Sequence, residues 1–176
     1  MKTKIINLYG GPGSGKSTGA AYIFSQLKMN NINCEYIQEY AKDRVWQNDL
    51  EVFNNQLYVV AKQSLRMSRL KGKVDVIITD SPLLLGIYYC KDVPYAKDFH
   101  NVLFHIYEEY ENHNYFVNRV KPYNPKGRFQ DEDGAKNIDT ILKNILNFNF
   151  IKFKEFNGDQ IGYNNIIADF ISYANF

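Results

Sequence analysis

Short apolar runs alternate with longer amphipathic stretches along the whole chain. The apolar runs predict five strands, over residues 4–9, 32–38, 74–79, 115–120 and 148–156. Apolar residues at helical spacing predict helices over residues 16–29, 49–70, 95–111, 135–146 and 161–174. Because strand and helix alternate, the pattern predicts a three-layer α/β/α domain around a mostly parallel five-stranded sheet.

The pattern shows neither an internal repeat nor a linker, so we expect a single domain over residues 1–176. One polar segment, residues 122–134, is too long for a passive connection and predicts a functional loop. In parallel sheets, ligands bind beyond the carboxyl ends of the strands. The candidate site residues are therefore those that follow each strand.

A glycine-rich segment follows the first predicted strand and opens the first predicted helix. It matches G-x-x-x-x-G-K-[ST], the P-loop pattern, in which backbone amides and a helix amino terminus cradle phosphates. Lys16 is expected to reach the β- and γ-phosphates of ATP, and the Ser17 hydroxyl to ligate Mg²⁺. The predicted ATP-binding residues are Gly10, Gly11, Pro12, Gly13, Ser14, Gly15, Lys16, Ser17 and Thr18.

Two carboxylates follow the second and third predicted strands. Asp80 comes after the run VIIT, where it can hold Mg²⁺ or its waters; it also suits a helix N-cap before Ser81 and Pro82. Glu39 would face the γ-phosphate and accept the proton of an attacking hydroxyl. The alternative for Glu39 is a solvated or helix-capping glutamate.

The predicted helix over residues 49–70 carries a candidate for recognition of the acceptor. The Gln56 amide has both donors and an acceptor and can hydrogen-bond the edge of a heterocycle, although a surface glutamine is the alternative. Trp46, Phe53 and Tyr58 could stack on a base. Phe53 falls on the apolar stripe, so we expect it in the core.

A basic segment begins at the end of the fourth predicted strand and carries Arg119, Lys121, Lys126 and Arg128. Phosphoryl transfer spreads negative charge over oxygens that arginine and lysine can neutralise. Arg119 and Lys126 are candidate substrate-binding residues, and Arg128, after the permissive Gly127, is a candidate catalytic residue of a lid over about residues 121–134. A solvated charged loop is the alternative.

Composition narrows the class of protein. Net charge is +2 with a pI near 8.4, too mild to indicate nucleic-acid binding by itself. No apolar run approaches the ~20 residues of a membrane helix, and the amino terminus lacks signal-peptide features, so we expect a cytoplasmic protein. The two cysteines and three histidines lack metal-ligand spacing. Abundant Lys, Asn and Ile suggest an AT-rich coding sequence, as in many phages, and hence a host cytoplasm.

These residues together resemble the P-loop nucleoside and nucleotide kinases: the thymidylate kinase, deoxyribonucleoside kinase and nicotinamide-riboside-kinase-like families. The segment EYAKDRVW resembles E-x-x-x-x-W of deoxynucleoside kinases and E-Y-A-R of nicotinamide-riboside-kinase-like domains. FNNQLYVVAKQSLRMSR resembles the helix whose glutamine reads the base, and GRFQDED stands where these families carry a lid arginine. The resemblance implies a P-loop NTPase fold, Glu39 as the base, Gln56 as base reader and Arg128 in the lid.

The chain departs from these families after its third strand. Deoxynucleoside kinases carry an arginine directly after the acidic residue, and thymidylate kinases carry D-R-[YF]. Here Asp80 is followed by Ser81 and Pro82, so that arginine must come from elsewhere or its task is absent. The identity of the acceptor is left open by this difference.

The sequence therefore predicts an enzyme, with Lys16, Glu39, Asp80 and Arg128 as catalytic residues and Ser17 and Asp80 as metal ligands. It would transfer the γ-phosphate of ATP, with Mg²⁺, to a small nucleoside or nucleoside monophosphate. A kinase acting on a base or an end within DNA or RNA, and a non-kinase P-loop ATPase or switch, are the alternatives. We expect no membrane partner and leave a homodimer open.

Overall fold

The computed structural model describes residues 2–124 and 131–174, and it contains one five-stranded sheet. The strands are β1 (Lys4–Tyr9), β2 (Cys34–Ile37), β3 (Val76–Thr79), β4 (Glu111–Asn118) and β5 (Lys154–Asn157). The helices are α1 (Lys16–Met29), α2 (Tyr40–Trp46), α3 (Gln56–Ser68), α4 (Leu85–Tyr89), α5 (Ala96–Glu108), α6 (Glu132–Phe148) and α7 (Gln160–Ala174), with a 3-10 turn over Glu51–Asn54.

The strands run in the order β2-β3-β1-β4-β5, and each pairing between the described strands is parallel. Residues 4–7 of β1 pair with residues 76–79 of β3, and residues 4–9 pair with residues 111–116 of β4. The carboxyl ends of the central strands therefore reach the same edge of the sheet. The predicted α/β fold is confirmed, and the sheet is parallel throughout rather than mostly parallel.

Helices cover both faces of the sheet because successive side chains of a strand point to opposite faces. On one side of β1, Ile6 and Leu8 join a buried cluster with α1 and α7. On the other side, Tyr9 packs with residues of α5 and α6, among them Leu103 and Leu142. These two layers of helices around the central sheet make the three-layer architecture. No helix within the described residues has both the length and the apolar character to span a membrane.

The prediction of one long helix over residues 49–70 is wrong for the first part of that range. Asn55 has a non-helical backbone (φ −119°, ψ 79°), and its side chain accepts a hydrogen bond from the Tyr58 amide at 3.1 Å. Such a cap satisfies an amide that lacks a partner in the helix and so begins a new helix. The apolar stripe therefore belongs to two elements, the 3-10 turn and α3.

The fourth strand begins earlier than predicted, at Glu111, and α5 ends at Glu108 instead of 111. Its first half is polar, so no apolar alternation marks it. Asn7 of β1 donates hydrogen bonds to Asn112 at 2.9 Å and Asn114 at 3.0 Å, which lets these amides lie in the sheet interior.

The carboxyl-terminal third differs in its boundaries. The start predicted for the strand over residues 148–156 is wrong. Helix α6 continues through Phe148, and β5 covers only Lys154–Asn157. The helix predicted over residues 135–146 begins earlier, since Asp131 caps it by accepting from the Gly134 amide at 2.8 Å. The short helices α2 and α4 were not predicted, because neither is long enough to show a helical period.

Candidate active site

The glycine-rich segment forms a tight turn between β1 and α1. Gly10, Gly13 and Gly15 have φ angles of 138°, 78° and 107°, a backbone region that favours glycine. At Gly10 a Cβ atom would also lie 2.7 Å from Ser14 Oγ and 2.9 Å from the Val117 carbonyl oxygen. The glycine pattern is therefore a requirement of the turn itself.

The amino terminus of α1 opens directly from this turn. Its N-cap residue is Gly15, which has no side chain to accept from the first-turn amides, and the first turn contains no acidic residue. Orphan amides and the positive end of the helix macrodipole both favour an anion here. The local geometry is that of a phosphate-binding loop.

Three charged side chains meet beside the loop. Lys16 Nζ donates to the Gly11 carbonyl oxygen at 3.0 Å, which folds the side chain back across the loop. Burial lowers the pKa of Lys16, while the charges of Glu39 and Asp80 act in the opposite direction. The strand ends thus bring together the lysine and both carboxylates that the sequence singled out.

Glu39 is the residue before α2, and its side chain makes no capping hydrogen bond to that helix. It is half-buried and lines the cleft described below. Burial raises the pKa of Glu39; Lys16 opposes this rise and Asp80 adds to it. Glu39 is therefore neither a helix-capping side chain nor a fully solvated glutamate, the two alternatives that the sequence left open.

Asp80 is buried at the carboxyl end of β3, and within the described residues its Oδ1 has no hydrogen-bond partner. It is not a helix cap, since α4 begins at Leu85 and its N-cap residue is Leu84. A buried carboxylate oxygen without a partner is costly unless a cation or water meets it. The position therefore suits a ligand of a cation.

Tyr36 of β2 is a neighbour of Asp80 that the sequence analysis missed. Burial raises the pKa of Tyr36, and the nearby charge of Asp80 raises it further; Ser17 lies close to the same phenol. The link arises because β2 pairs with β3, with Tyr36 opposite Ile78. No local pattern in the sequence indicates this pairing.

The donors present fit Mg²⁺, which takes oxygen ligands and keeps several waters and substrate phosphate oxygens. Ser17 offers a hydroxyl and Asp80 a buried carboxylate oxygen without a protein partner. The described residues contain no group of three or more His, Cys, Asp or Glu side chains able to hold a metal. A P-loop magnesium site does not depend on such a group.

A cleft of about 730 Å³ joins the P-loop and the charged side chains to a larger apolar wall. That size lies within the ~300–1,000 Å³ usual for small-molecule sites. The apolar and aromatic lining residues include Val45, Trp46, Leu50, Phe53, Val59, Val60, Leu83, Leu85, Tyr89, Ile138 and Leu142. A small organic acceptor would thus find apolar surface beside the P-loop.

The predicted acceptor residues are distributed unevenly around this cleft. Gln56 lines it, and its Nε2 donates to the Phe53 carbonyl oxygen at 2.8 Å. Phe53 also lines the cleft and is outside the buried core, so its assignment to the core is wrong. Trp46 lines the cleft and is 74% exposed, whereas Tyr58 does not line it and packs edge-on against Tyr40.

Gln63 is a second residue that the sequence analysis missed. It is buried on α3; its Oε1 accepts from the Tyr40 amide at 3.0 Å, and its Nε2 lies 3.5 Å from Thr79 Oγ1. The Ser81 amide donates to the same threonine oxygen at 3.1 Å. The network thereby holds the residue after Glu39 and both neighbours of Asp80.

Arg119 does not line the cleft. Its guanidinium donates to the Pro12 carbonyl oxygen and pairs with Asp139 at 2.9 Å, so it lies against the outer turn of the P-loop. Thr18 is exposed on α1, and Ser14 is buried under the loop. Lys126 and Arg128 lie outside the described residues.

Comparisons with known proteins agree with this geometry. A family model described as AAA domain matches residues 5–160. Among solved structures, a crystal structure of a NadR protein in complex with NR is similar in fold, with a TM-score of 0.73 and 14% sequence identity. The match covers 99% of this chain and 51% of that one, so this chain spans about half its length. No curated protein sequence matches.

At 14% identity the likeness to the NadR structure establishes the fold alone. The family match covers most of the chain and includes residues 5–9 of β1, the P-loop and both carboxylates. The chain belongs to the AAA domain family of P-loop NTPases.

Proposed function

We propose that this protein is an ATP-dependent kinase that transfers the γ-phosphoryl group to a nucleoside or nucleoside monophosphate. The observation that carries the proposal is the position of Glu39, beside Lys16 and Asp80 in a cleft that continues into an apolar wall. An enzyme that only hydrolyses ATP needs room for water. A cleft of about 730 Å³ with aromatic lining suits an organic acceptor.

On the donor side, the amides of the P-loop and the Lys16 ammonium would hold the β- and γ-phosphates. Ser17 and Asp80 would hold Mg²⁺, which when bound neutralises charge on the phosphate oxygens. Tyr36, which lies next to both residues, would help to keep their side chains in place.

On the acceptor side, Glu39 would orient the acceptor hydroxyl and take its proton. The hydroxyl oxygen forms a bond to the γ-phosphorus as the bond to the β–γ bridging oxygen breaks, and ADP leaves. Burial raises the pKa of Glu39 and so strengthens it as a base relative to an exposed glutamate. The proton thereby moves to Glu39 and the phosphoryl group to the acceptor oxygen.

Recognition of the acceptor is assigned to the apolar wall. Gln56 and the aromatic side chains of Trp46 and Phe53 line the cleft and are suited to the edge and the face of a heterocycle. Nicotinamide riboside is one acceptor of this size, in line with the family resemblance of EYAKDRVW. Lys126 and Arg128 are proposed to close over the phosphates, and Arg119 to act from the donor side.

The second candidate is a nucleotide-gated ATPase or switch, which the AAA domain match favours. Such a protein would release ADP at the same rate with or without an acceptor. A kinase acting on DNA or RNA is a further alternative, and its binding should weaken by orders of magnitude with added salt. The two alternatives thus differ from the proposal in measurable ways.

The test is ADP release from Mg-ATP in the presence of nucleosides, nucleoside monophosphates, nicotinamide riboside or oligonucleotides. We expect release to rise with one of the small acceptors and a phosphorylated acceptor to accumulate in equal amount. Lys16→Ala should abolish this activity, and Glu39→Gln should lower it by about 10²–10⁴-fold while ATP still binds. ADP release that no acceptor changes would favour the ATPase instead.

A further inference from the structure

A partly buried ion pair outside the cleft contacts the P-loop on both sides of one peptide unit. Asp139 of α6 accepts from the Gly11 amide and pairs with Arg119 at 2.9 Å. Arg119, just after β4, also donates to the Pro12 carbonyl oxygen. Neighbouring backbone groups of the loop are therefore held by the two members of a single pair.

Contacts within the loop complete the arrangement. The Gly11 carbonyl oxygen accepts from Lys16 Nζ at 3.0 Å and from the Ser14 amide at 3.3 Å. With Gly11 N–H held by Asp139 and Pro12 C=O held by Arg119, the turn has little freedom left to rotate its peptide planes. The direction of those planes decides where the following amides point.

The low exposure of this pair and the chemistry of its side chains indicate that it supports the backbone of the P-loop. The Arg119 side chain is 8% exposed and that of Asp139 is 19% exposed, so removing one charge would leave the other poorly solvated. The planar guanidinium can serve two acceptors at once, here the carboxylate and the carbonyl oxygen. Another pair on α6, Lys143 with Glu155 at 2.7 Å, has no contact with the P-loop among its described hydrogen bonds.

We infer that Asp139 and Arg119 are positioning residues that set the P-loop for the phosphates of the donor. The inference rests on the proposed function only in its donor half, and needs no acceptor. Asp139 belongs to α6 and Arg119 follows β4, so the outer turn of the loop depends on how that helix packs against the sheet. Neither residue is required to touch the nucleotide.

The experiment measures binding of ATP and of inorganic tripolyphosphate to the whole chain. Tripolyphosphate has phosphates and no base, so it reports on the loop alone. In Asp139→Asn the ion pair is lost, and we expect both dissociation constants to rise by the same factor, about tenfold or more. Glu155→Gln removes a carboxylate that pairs with the same helix and should leave both constants unchanged.

Arg119→Lys provides a second variant, because it keeps the charge and loses the fork, and it carries the test if Asp139→Asn does not fold. We expect it to weaken the binding of both ligands by the same factor. The double variant should bind as tightly as the single variant with the larger loss, since both residues act through one turn. Melting curves identify the variants that are folded at the assay temperature.

Unchanged constants in folded Asp139→Asn and Arg119→Lys would overturn the inference, and so would a loss of equal size in Glu155→Gln. Weaker ATP binding with normal tripolyphosphate binding would also overturn it, because the ion pair would then affect binding of the nucleoside part of ATP and not of its phosphates. Failure to find any acceptor would count against the proposed kinase and leave these binding results unaffected.

Discussion

At the scale of single residues, the site combines charges of opposite sign in a confined space. Lys16 lies near both Glu39 and Asp80. Burial lowers the pKa of Lys16 and raises the pKa of Glu39, so in each case it favours the neutral form. Added phosphates would change this balance, because they supply the negative charge that the P-loop lacks in the free protein.

Glu39 should make the folded protein less stable as pH rises. Its pKa is raised in the folded state above the ordinary value of 4.5, so ionisation costs more folded than unfolded. The penalty is absent below the ordinary pKa and is complete once pH has passed the folded pKa. We therefore expect Glu39→Gln to melt higher than the parent at pH 8, and the difference to vanish near pH 4.

The matched control is Glu35→Gln, four residues earlier and within β2, which removes a partly exposed carboxylate that pairs with Lys28 at 3.1 Å. It should show no such gain at pH 8. A Glu39→Gln variant that melts lower than the parent at pH 8 would mean that the attraction of the Lys16 charge outweighs the cost of burial.

Asp80→Asn should impair magnesium-dependent turnover more than nucleotide binding. The amide cannot supply the charged oxygen that Oδ1 now offers, whereas the P-loop amides that hold the phosphates are unchanged. We expect the Mg²⁺ concentration for half-maximal turnover to rise by about tenfold or more, a change set by loss of one charged ligand. Asp75→Asn, at an exposed position before the same strand, is the control, and an identical Mg²⁺ titration in both variants would contradict the assignment.

At the scale of elements, the carboxylates are placed by the ends of β2 and β3 and by the side of α3. Gln63 joins these elements, since it accepts from the Tyr40 amide and reaches Thr79. The P-loop is supported in the same way from α7: Tyr163 donates to the Gly15 carbonyl oxygen at 2.9 Å. Helix side chains, not only the loop sequence, therefore shape the site.

Gln63→Met should lower turnover while ATP binding persists. Methionine keeps the volume but leaves the buried Tyr40 amide without its acceptor, a loss of about 1–3 kcal/mol in the free energy of unfolding. Glu39 precedes that amide, so its carboxylate should lose its fixed position and kcat should fall more than ATP affinity. The measurements are steady-state kinetics, an ATP dissociation constant and a denaturant titration.

Gln26→Met is the control, because Gln26 is half-buried on α1 near the opposite end of the sheet. It should leave kcat unchanged. If Gln63→Met lost stability and kept the parent's kcat, the network would support packing without positioning the carboxylate.

At the scale of the whole molecule, the site occupies the edge at which the parallel strands end, and every layer of the domain reaches it. At Gly158, after β5, a Cβ atom would lie 2.1 Å from the Ser14 carbonyl oxygen, so the β5–α7 turn also packs directly on the loop. Binding at such a site should couple to global unfolding, because the ligand contacts exist only when the elements are assembled.

Mg-ATP at 100 times its dissociation constant should stabilise the protein by about 2.7 kcal/mol. For a domain of this size that corresponds to a rise in Tm of about 5–10 °C. Lys16→Ala should melt near the parent's Tm without ligand, because loop side chains contribute little packing, and should lose most of the rise. A full rise in this variant would remove Lys16 from the phosphate site; the measurement is a thermal melt with and without Mg-ATP.

The sequence by itself determined those features that local spacing encodes. β1, α1 and the P-loop between them agree with the predicted boundaries, because the glycine pattern and the helical period are properties of consecutive residues. The parallel α/β fold followed from the alternation of elements. Lys16 was predicted as a site residue from the P-loop pattern, and Glu39 and Asp80 were predicted because ligands bind where parallel strands end.

Only the tertiary structure decided the contacts between distant segments. Tyr36 reaches Asp80 through the β2–β3 pairing, Gln63 reaches Thr79 from α3, and Asp139 contacts Gly11 across 128 positions of the chain. The helix break at Asn55 and the polar first half of β4 likewise depend on partners elsewhere, such as Asn7. Burial, sheet order and hydrogen bonding between elements are set by packing, and no window of neighbouring residues contains them.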